Sequence, residues 1–322
     1  MTIIKIPDYA KRHHWWHHSN PKDRSKSYFD KSFVRPLLAQ AKINIENDIK
    51  HDLSQHILDS FQYSDSAVMC AGRIVQKSID KMLIDGDAYP IVGLLADNEF
   101  DKYIPRDWDQ GRDQAQKEAI APLLRSVILN AFQGMREALE LTQEPCFPET
   151  DLLNKLPGCD LPYYTKPDYN KRIELKTKWV NNKDGFPNLL KTTNEASIKS
   201  LPKTLSGIFE KSWVSQVAGY YALNDRELPV IVVANANGHE IFHAENCEQL
   251  TPDYLDFVIS QTIDYCQVTE LHLKKTSTPM ELCQLIDAPD FNSIFWNEKP
   301  SFKALAMDLF ANRRDIKKWQ IL

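Results

Sequence analysis

Apolar residues recur at helical spacing through much of the first 140 residues. This pattern predicts a helix from Pro36 to Phe61, a second helix from about 66 to 83, and a long third helix over roughly 113–140. Its apolar face comprises Ile120, Leu124, Val127, Ile128, Ala131 and Met135. The acid-rich stretch 95–113 predicts a loop between the second and third helices. The sequence therefore predicts an N-terminal helical section.

From residue 145 onwards, strand patterns alternate with helical ones. The segments "CDLPYYT" (159–165) and "KRIELKTKWV" (171–180) resemble strands, and the turn-forming "KPDYNK" between them predicts a hairpin. A helix is predicted over 207–224, and a buried strand, an Asn-Gly turn and another strand over 228–244. A further helix begins at Thr251, and the C-terminus is helical around 301–313. We predict an α/β protein with three parts: an arm (1–35), a helical section (36–144) and an α/β core (145–322).

The 322-residue chain has an ordinary globular composition, with 43% hydrophobic and 26% charged residues. A net charge of −5 gives no overall sign of nucleic-acid affinity. Basic residues are nevertheless concentrated in two segments: residues 1–35 carry eight Lys and Arg against three acids, and residues 171–211 carry nine against four. Two basic segments on an acidic body are typical of a locally positive groove.

The sequence shows no signal-peptide pattern and no run of 18 apolar residues. None of the six cysteines forms a CxxC pair, which favours reduced core residues. A cytoplasmic protein without membrane contact is expected.

One strand carries candidate chemistry. In "RIELKTK" (172–178), Glu174, Lys176 and Lys178 share one face because side chains alternate along a strand. If the predicted hairpin pairs, Asp160 converges with Glu174. Two carboxylates and the Leu175 backbone carbonyl would form a hard-oxygen site for Mg²⁺ or Mn²⁺, beside which Lys176 could position a water. By itself, a Glu-x-Lys strand is more typical of a solvated face with a weak ion pair.

The wider spacing carries a family resemblance. Gly158-x-Asp160, then Glu174-x-Lys176, then Gln216-x-x-x-Tyr220 in a helix resembles the PD-(D/E)XK nuclease superfamily, and most closely its RecB-type exonuclease branch. The resemblance implies a restriction-endonuclease-like core, a mixed central sheet flanked by helices. It implies a divalent-metal-dependent DNA exonuclease that acts in DNA repair, recombination or phage genome processing. Asp160 and Glu174 would bind the metal, Lys176 would orient the water, and Gln216 and Tyr220 would position DNA.

Upstream, the sequence departs from the family pattern. Gly72 and Gln76 match the family's G-x-x-x-H motif, with glutamine in place of the histidine. Gln76 could hydrogen-bond near the substrate, or an acid could supply an extra metal ligand: Glu144, just before the first strand, or Glu118 or Glu137. The spacing of Cys247, Cys266 and Cys283 argues against the iron–sulfur cluster that some branches carry.

Several alternatives stay open at this level. Lys178 is either a DNA contact or an ordinary surface lysine. "HHWWHH" (13–18) could bind zinc, form a nucleic-acid arm through Trp15 and Trp16, or pack on the first helices. "DWDQGRD" resembles a calcium loop but has Arg112 where that loop needs glycine. The function could also be that of a DNA-binding protein that cleaves poorly or of a structure-specific endonuclease. Homo-oligomers and single-strand-binding or recombinase partners also stay open.

Overall fold

The structure is a computed structural model that describes residues 16–17, 66–105, 111–180 and 198–276, with the single residues 285 and 307. The predicted helix 36–61, the C-terminal helix 301–313 and nearly all of the N-terminal arm lie outside the described residues. Contacts divide the chain into two compact units. The larger unit comprises the described residues within 64–152 and 166–255, and the other described residues belong to the smaller unit. These units interleave along the sequence, whereas the predicted boundaries at 35 and 144 divide it consecutively.

The described elements form a mixed α/β fold. The helices are α1 (Ala67–Leu83), α2 (Tyr89–Asp101), α3 (Arg112–Ile120), α4 (Leu124–Thr142), α5 (Ile208–Leu223) and α6 (Pro252–Lys274). The strands are β1 (Trp16–His17), β2 (Leu152–Lys155), β3 (Pro162–Thr165), β4 (Ile173–Thr177), β5 (Val230–Asn235) and β6 (Gly238–Phe242). No helix in the described ranges combines the length and apolarity needed to span a lipid bilayer.

The larger unit is built on a three-stranded sheet in the order β4-β5-β6. β4 runs parallel to β5, with Ile173 opposite Val230, and α5 lies between these strands in sequence. β5 and β6 form the predicted antiparallel hairpin around Asn237-Gly238. All six residues of β5 are buried, as expected for a strand covered on both faces.

Helices α1, α2 and α4 share one hydrophobic core with this sheet. The predicted apolar face of the third helix is confirmed, because all six of its residues have no exposed surface. Ser66 caps α1 by accepting a hydrogen bond from the Met69 N–H, so the predicted start near residue 66 is confirmed. The side chain of Asn130 in α4 donates to the Asn235 carbonyl at the end of β5, at 2.9 Å.

Two predictions for the helical section are wrong in detail. The predicted acidic loop contains most of α2, because Val92, Ala96 and Phe100 recur every four residues and bury one face despite the acids between them. The long third helix is interrupted by a 3-10 turn at Ala121–Leu123. Pro122 lies in this turn and has no N–H to donate to an α-helical carbonyl.

The predicted hairpin between β3 and β4 is also wrong. β3 pairs with β1 and β2, whereas β4 pairs with β5. The chain before β4 turns back on itself instead: Tyr169 and Ile173 exchange backbone hydrogen bonds of 3.1 and 2.8 Å. Asn170 and Lys171 have φ of 49° and 58°, the left-handed conformation that such a tight turn requires.

In the smaller unit, the sheet has the order β1-β3-β2, with β1 parallel to β3. The division between units falls at the first residue of β2 and within α6. The Glu270 carboxylate accepts the backbone N–H groups of Asp160 and Leu161 at 2.7 and 2.9 Å. This contact fixes the loop before β3 to α6.

Candidate functional site

Glu174 lies at the centre of a hydrogen-bonded cluster in the larger unit. Its side chain is only 3% exposed, and β4 places it on the same face as Lys176. Its Oε1 accepts from Lys176 Nζ and, at 2.7 Å, from Gln216 Nε2. Its Oε2 accepts from the Tyr220 hydroxyl. Three donors thus hold one buried carboxylate, which compensates much of the cost of burying its charge.

Helix α5 supplies Gln216 and Tyr220, which lie one turn apart on the same face. Gln216 connects the two elements, since its Oε1 accepts from Lys176 Nζ at 3.0 Å while its Nε2 lies 2.5 Å from the Tyr220 hydroxyl oxygen. Burial, followed by the negative charge of Glu174, raises the pKa of Tyr220 well above its usual value. Tyr220 therefore keeps its proton and acts as a donor.

Asp168 is the second acid of the cluster, and the sequence analysis did not select it. The turn at Asn170 and Lys171 carries it back beside β4, where its Oδ2 accepts the Leu175 N–H at 2.8 Å. Burial, and then the charge of Glu174, raises the pKa of Asp168 well above its usual value, while Lys176 lowers it. We call Asp168, Glu174, Lys176, Gln216 and Tyr220 the carboxylate cluster.

The backbone of β4 adds a further oxygen on the Asp168 side. Arg172 O and Lys178 N bond to β5, so even-numbered residues direct their backbone groups to that strand. The N–H of Leu175 instead points to the outer edge, where it meets Asp168. Because the N–H and C=O of one strand residue point to the same edge, the Leu175 carbonyl also faces the Asp168 side.

Gln76 lies next to the cluster as a hydrogen-bond donor. Its Nε2 lies 3.3 Å from Asp168 Oδ1 and 3.1 Å from Glu149 Oε1. Glu149 in turn forms an ion pair with Lys166. Gln76 thus links α1 to Asp168, and Glu149 is an upstream acid that the sequence analysis did not consider.

Asp160 has a different environment from the predicted one. Its predicted convergence with Glu174 depended on the β3–β4 hairpin, which does not form. Its carboxylate lies 2.5 Å from Lys274 Nζ in the smaller unit, and its side chain is 53% exposed. In the described contacts, the acid that interacts with Glu174 is Asp168.

The three upstream glutamates suggested as extra ligands have other described partners. Glu144 pairs with Arg172 at 2.9 Å and accepts from Asn170 at 3.2 Å. Glu137 lies 3.1 Å from the His239 ring, and Glu118 accepts from Gln114. None of these partners belongs to the carboxylate cluster, so the described contacts do not support Glu144 as a ligand.

Lys178 lies on the cluster's face of β4, two residues beyond Lys176. Its Nζ pairs with Glu210 of α5 at 2.8 Å and lies 5.4 Å from the centre of the Trp213 ring. Its side chain is 18% exposed. Lys178 is therefore not an ordinary, freely solvated surface lysine, which was one of the two interpretations of its sequence position.

The donor set of the cluster fits a hard divalent cation. Asp168, Glu174 and the Leu175 carbonyl offer only oxygen, and Mg²⁺ or Mn²⁺ prefers oxygen ligands. Burial, and then the charge of Glu174, raises the pKa of Asp168 because both disfavour its ionised form, and a bound cation would offset both effects. The described ranges hold no group of three or more His, Cys, Asp and Glu side chains suited to a metal. Mg²⁺ commonly retains several waters, so two carboxylates and a carbonyl are compatible with it.

A sequence signal for Asp168 did exist. It follows Pro167 and precedes Glu174-x-Lys176 by six positions, so the chain contains a Pro-Asp dipeptide ahead of Glu-x-Lys, as the superfamily's motif is written. The signal was missed because "KPDYNK" was interpreted only as a hairpin turn. The strand-pairing error thus led to the selection of Asp160 instead of Asp168.

Comparisons of the chain with protein-family models, with curated proteins and with solved structures found no match.

Proposed function

We propose that this chain is a divalent-metal-dependent deoxyribonuclease with a PD-(D/E)XK active site in which Asp168, not Asp160, is the first acid. One observation carries the proposal. The Glu174–Lys176 pair and the Gln216–Tyr220 pair join in one hydrogen-bonded network, and Asp168 lies beside it, hydrogen-bonded to the Leu175 N–H of the same strand. An accidental Glu-x-Lys on a strand would not be expected to recruit the other two motifs.

The architecture of the larger unit supports the proposed restriction-endonuclease-like core. A parallel β4–β5 pair connected through α5 and extended by antiparallel β6 gives a mixed sheet. This arrangement places the acids on one strand and its preceding turn, and the glutamine and tyrosine on the crossover helix. A RecB-type exonuclease acting in DNA repair, recombination or phage genome processing is the form of the activity that the resemblance favours.

Asp168, Glu174 and the Leu175 carbonyl would hold Mg²⁺ or Mn²⁺, which supplies charge stabilisation at a phosphodiester and lowers the pKa of a bound water. The Lys176 ammonium has three donors, two of which go to Glu174 and Gln216. The third can orient a water toward the phosphorus. Tyr220 and Gln216 hold the Glu174 carboxylate in one orientation, and the N–H of Gln76 does the same for Asp168.

The test is hydrolysis of linear and closed circular DNA with Mg²⁺ or Mn²⁺. Lys176→Ala should lower the rate by about 10²–10⁴-fold, the range typical of a positioned proton-transfer group. Lys211→Ala, which removes an exposed lysine from α5, is the matched control and should cleave as the native chain does. An intact substrate with the native chain would refute the proposal. Full activity in Lys176→Ala would refute the role given to Lys176.

The same time course addresses the form of the activity. Progressive loss of linear DNA, with closed circles left intact, is expected of an exonuclease. Discrete fragments or nicked circles would instead indicate an endonuclease.

A DNA-binding protein without cleavage is the second candidate. Gln76 favours it, because Gln76 donates an N–H to Asp168 where the family pattern has a histidine. DNA binding by the native chain without metal-dependent hydrolysis would support that alternative.

A further inference from the structure

A cavity of about 400 Å³ lies beside the carboxylate cluster in the larger unit. Its lining includes Thr177 and Lys178 at the end of β4, Lys199, and Glu210 and Trp213 of α5. Lys178 is two strand residues beyond Lys176, an advance of about 6.6 Å along β4. Trp213 precedes Gln216 by three residues, so it lies on the neighbouring turn of α5. The cavity thus lies next to the carboxylate cluster, two residues farther along β4 and one turn away along α5.

The charge around this cavity is predominantly positive. Lys178 and Lys199 both line it, and Glu210 is the one acid among the lining residues that the structure describes. Glu210 is paired with Lys178. No described carboxylate lies within ion-pair distance of the Lys199 ammonium. Burial, and then the charges of Lys178 and Arg112, lowers the pKa of Lys199. An anion would relieve this unfavourable arrangement of like charges.

The cavity also has an aromatic wall. Trp213 is half-buried, and the Lys178 ammonium lies 5.4 Å from its ring centre. Lys178 keeps two of its three donors after bonding Glu210, so it can bind an anion without breaking that ion pair. Cationic groups combined with an aromatic face suit a ligand that has both a phosphate and a flat ring. Nucleotides in a single strand have this chemistry.

We propose that this cavity binds the nucleotide of a single DNA strand next to the cleaved bond, with its base against Trp213 and its phosphate on Lys199 and Lys178. The proposal rests on the proposed nuclease function, to which it adds a binding subsite and a preference for single-stranded DNA. Helix α5 and strand β4 carry the residues of both the carboxylate cluster and this subsite. A single DNA strand that enters the cavity therefore continues toward Glu174. A base can stack on Trp213 only if one of its faces is free. Unpaired DNA ends are therefore expected to bind in preference to the interior of a duplex.

Binding can be measured without cleavage. The probe is a short, fluorescently labelled oligothymidylate, titrated by fluorescence anisotropy with a chelator present and at several salt concentrations. Lys199→Gln should weaken binding and make the salt slope shallower by about 0.7, the value for one phosphate contact on a single strand. Trp213→Leu should weaken binding roughly tenfold, whereas Trp213→Phe should retain most of the affinity because it keeps a stacking face.

Lys203→Gln is the matched control, since it removes the same charge from an exposed lysine four residues beyond Lys199 and outside the cavity lining. It should bind the probe as the native chain does. Thermal unfolding of every variant checks that weaker binding does not reflect a damaged fold.

The proposal is overturned if the native chain does not bind the probe, or if Lys199→Gln and Trp213→Leu bind it as Lys203→Gln does. It is also overturned if Trp213→Phe loses as much affinity as Trp213→Leu, because a stacking contact would survive that change. Hydrolysis by the native chain with Mn²⁺ is measured in parallel. If the native chain cleaves DNA but the variants bind the probe normally, the subsite proposal is wrong and the nuclease proposal stands. If the variants bind the probe more weakly but the native chain does not cleave DNA, the nuclease proposal is wrong and the binding site stands.

Discussion

At the residue scale, the two aspartates on either side of β3 have opposite environments. Asp168 is partly buried against Glu174, and its carboxylate is held by a backbone N–H and by Gln76. Asp160 is exposed and pairs with Lys274. Burial near a like charge favours the protonated form of an acid, so the ionisation of Asp168 is expected to couple folding to pH.

Asp168→Asn should raise the free energy of unfolding at pH 7. The folded-state pKa of Asp168 lies above its ordinary value of 3.8, so the folded protein binds the proton more tightly than the unfolded chain does. The resulting loss of stability in the native chain begins as pH rises through the unfolded pKa and is complete above the folded one. The gain in Asp168→Asn should therefore disappear toward pH 3, as urea titrations at several pH values would show.

Asp160→Asn is the control for that series. It removes one member of an exposed ion pair, so it should change stability by less than about 1 kcal/mol and leave DNA hydrolysis intact. Loss of hydrolysis in Asp160→Asn with full activity in Asp168→Asn would reverse the assignment of the first acid.

Tyr220→Phe should destabilise the protein by about 1.5–3 kcal/mol, the usual range for a hydrogen bond to a charged group. The substitution keeps the ring but leaves Oε2 of the buried Glu174 without its hydroxyl donor. Urea unfolding at pH 7 measures the change. An unchanged midpoint would mean that water replaces the hydroxyl at no cost.

Sequence spacing was sufficient for Glu174, Lys176, Gln216 and Tyr220 but not for Asp168. The first four lie at fixed periods within a strand or a helix, so their shared face follows from local geometry. The position of Asp168 depends instead on a tight turn with two left-handed residues. Which strands pair is decided by packing across the whole unit, and the local pattern around 159–180 did not contain that information.

At the element scale, α4 approaches β5 and β6 closely at Gly134. Gly134 lies where a Cβ atom would approach Val232 of β5 to 2.8 Å and the His239 ring of β6 to 3.0 Å. The stiff, branched valine in a fully buried strand has little freedom to move away. Gly134 thus permits the close approach of α4 to β5 and β6.

Gly134→Ala should therefore cost about 1–3 kcal/mol of stability, as overpacking of a core does. Gly93→Ala in α2 is the matched control, because the nearest atom there is Arg125 Cδ at 3.6 Å, an ordinary contact. Helix propensity should make that second change neutral or stabilising by up to about 1 kcal/mol. Thermal or urea unfolding compares the two, and equal effects would contradict the packing argument.

Helix periodicity was informative wherever one face was continuous. It identified α1, α4 and α6, and the Asn-Gly signal identified the β5–β6 hairpin. It failed for α2, whose buried residues are separated by acids and a glycine, and for the break at Pro122. In both cases the favourable packing of a few residues outweighs a polar or helix-breaking local sequence.

At the scale of the whole molecule, the candidate site lies within one compact unit built from two separate stretches of chain. Asp168 and Glu174 come from the second stretch and Gln76 from the first. A ligand that ties these parts together binds the folded state and not the unfolded chain, so it should stabilise the fold by mass action.

Mn²⁺ should raise the midpoint of thermal unfolding of the native chain. At 100 times its dissociation constant, a ligand adds about 2.7 kcal/mol. Asp168→Asn should lose most of this effect, while Asp160→Asn should retain it. Differential scanning fluorimetry across a Mn²⁺ titration measures all three, and a metal-independent midpoint in the native chain would argue against a cation site.

The outer edge of β4 has one further consequence, for self-association. An exposed strand edge is a template on which another chain can pair. Here the Tyr169 backbone pairs with the Ile173 backbone at this edge, and the Asp168 carboxylate accepts the hydrogen bond of the Leu175 N–H. The turn that positions Asp168 therefore also prevents the β4 edge from pairing with a strand of another chain. A change that opened this turn would disrupt the candidate site and would also expose an aggregation-prone edge.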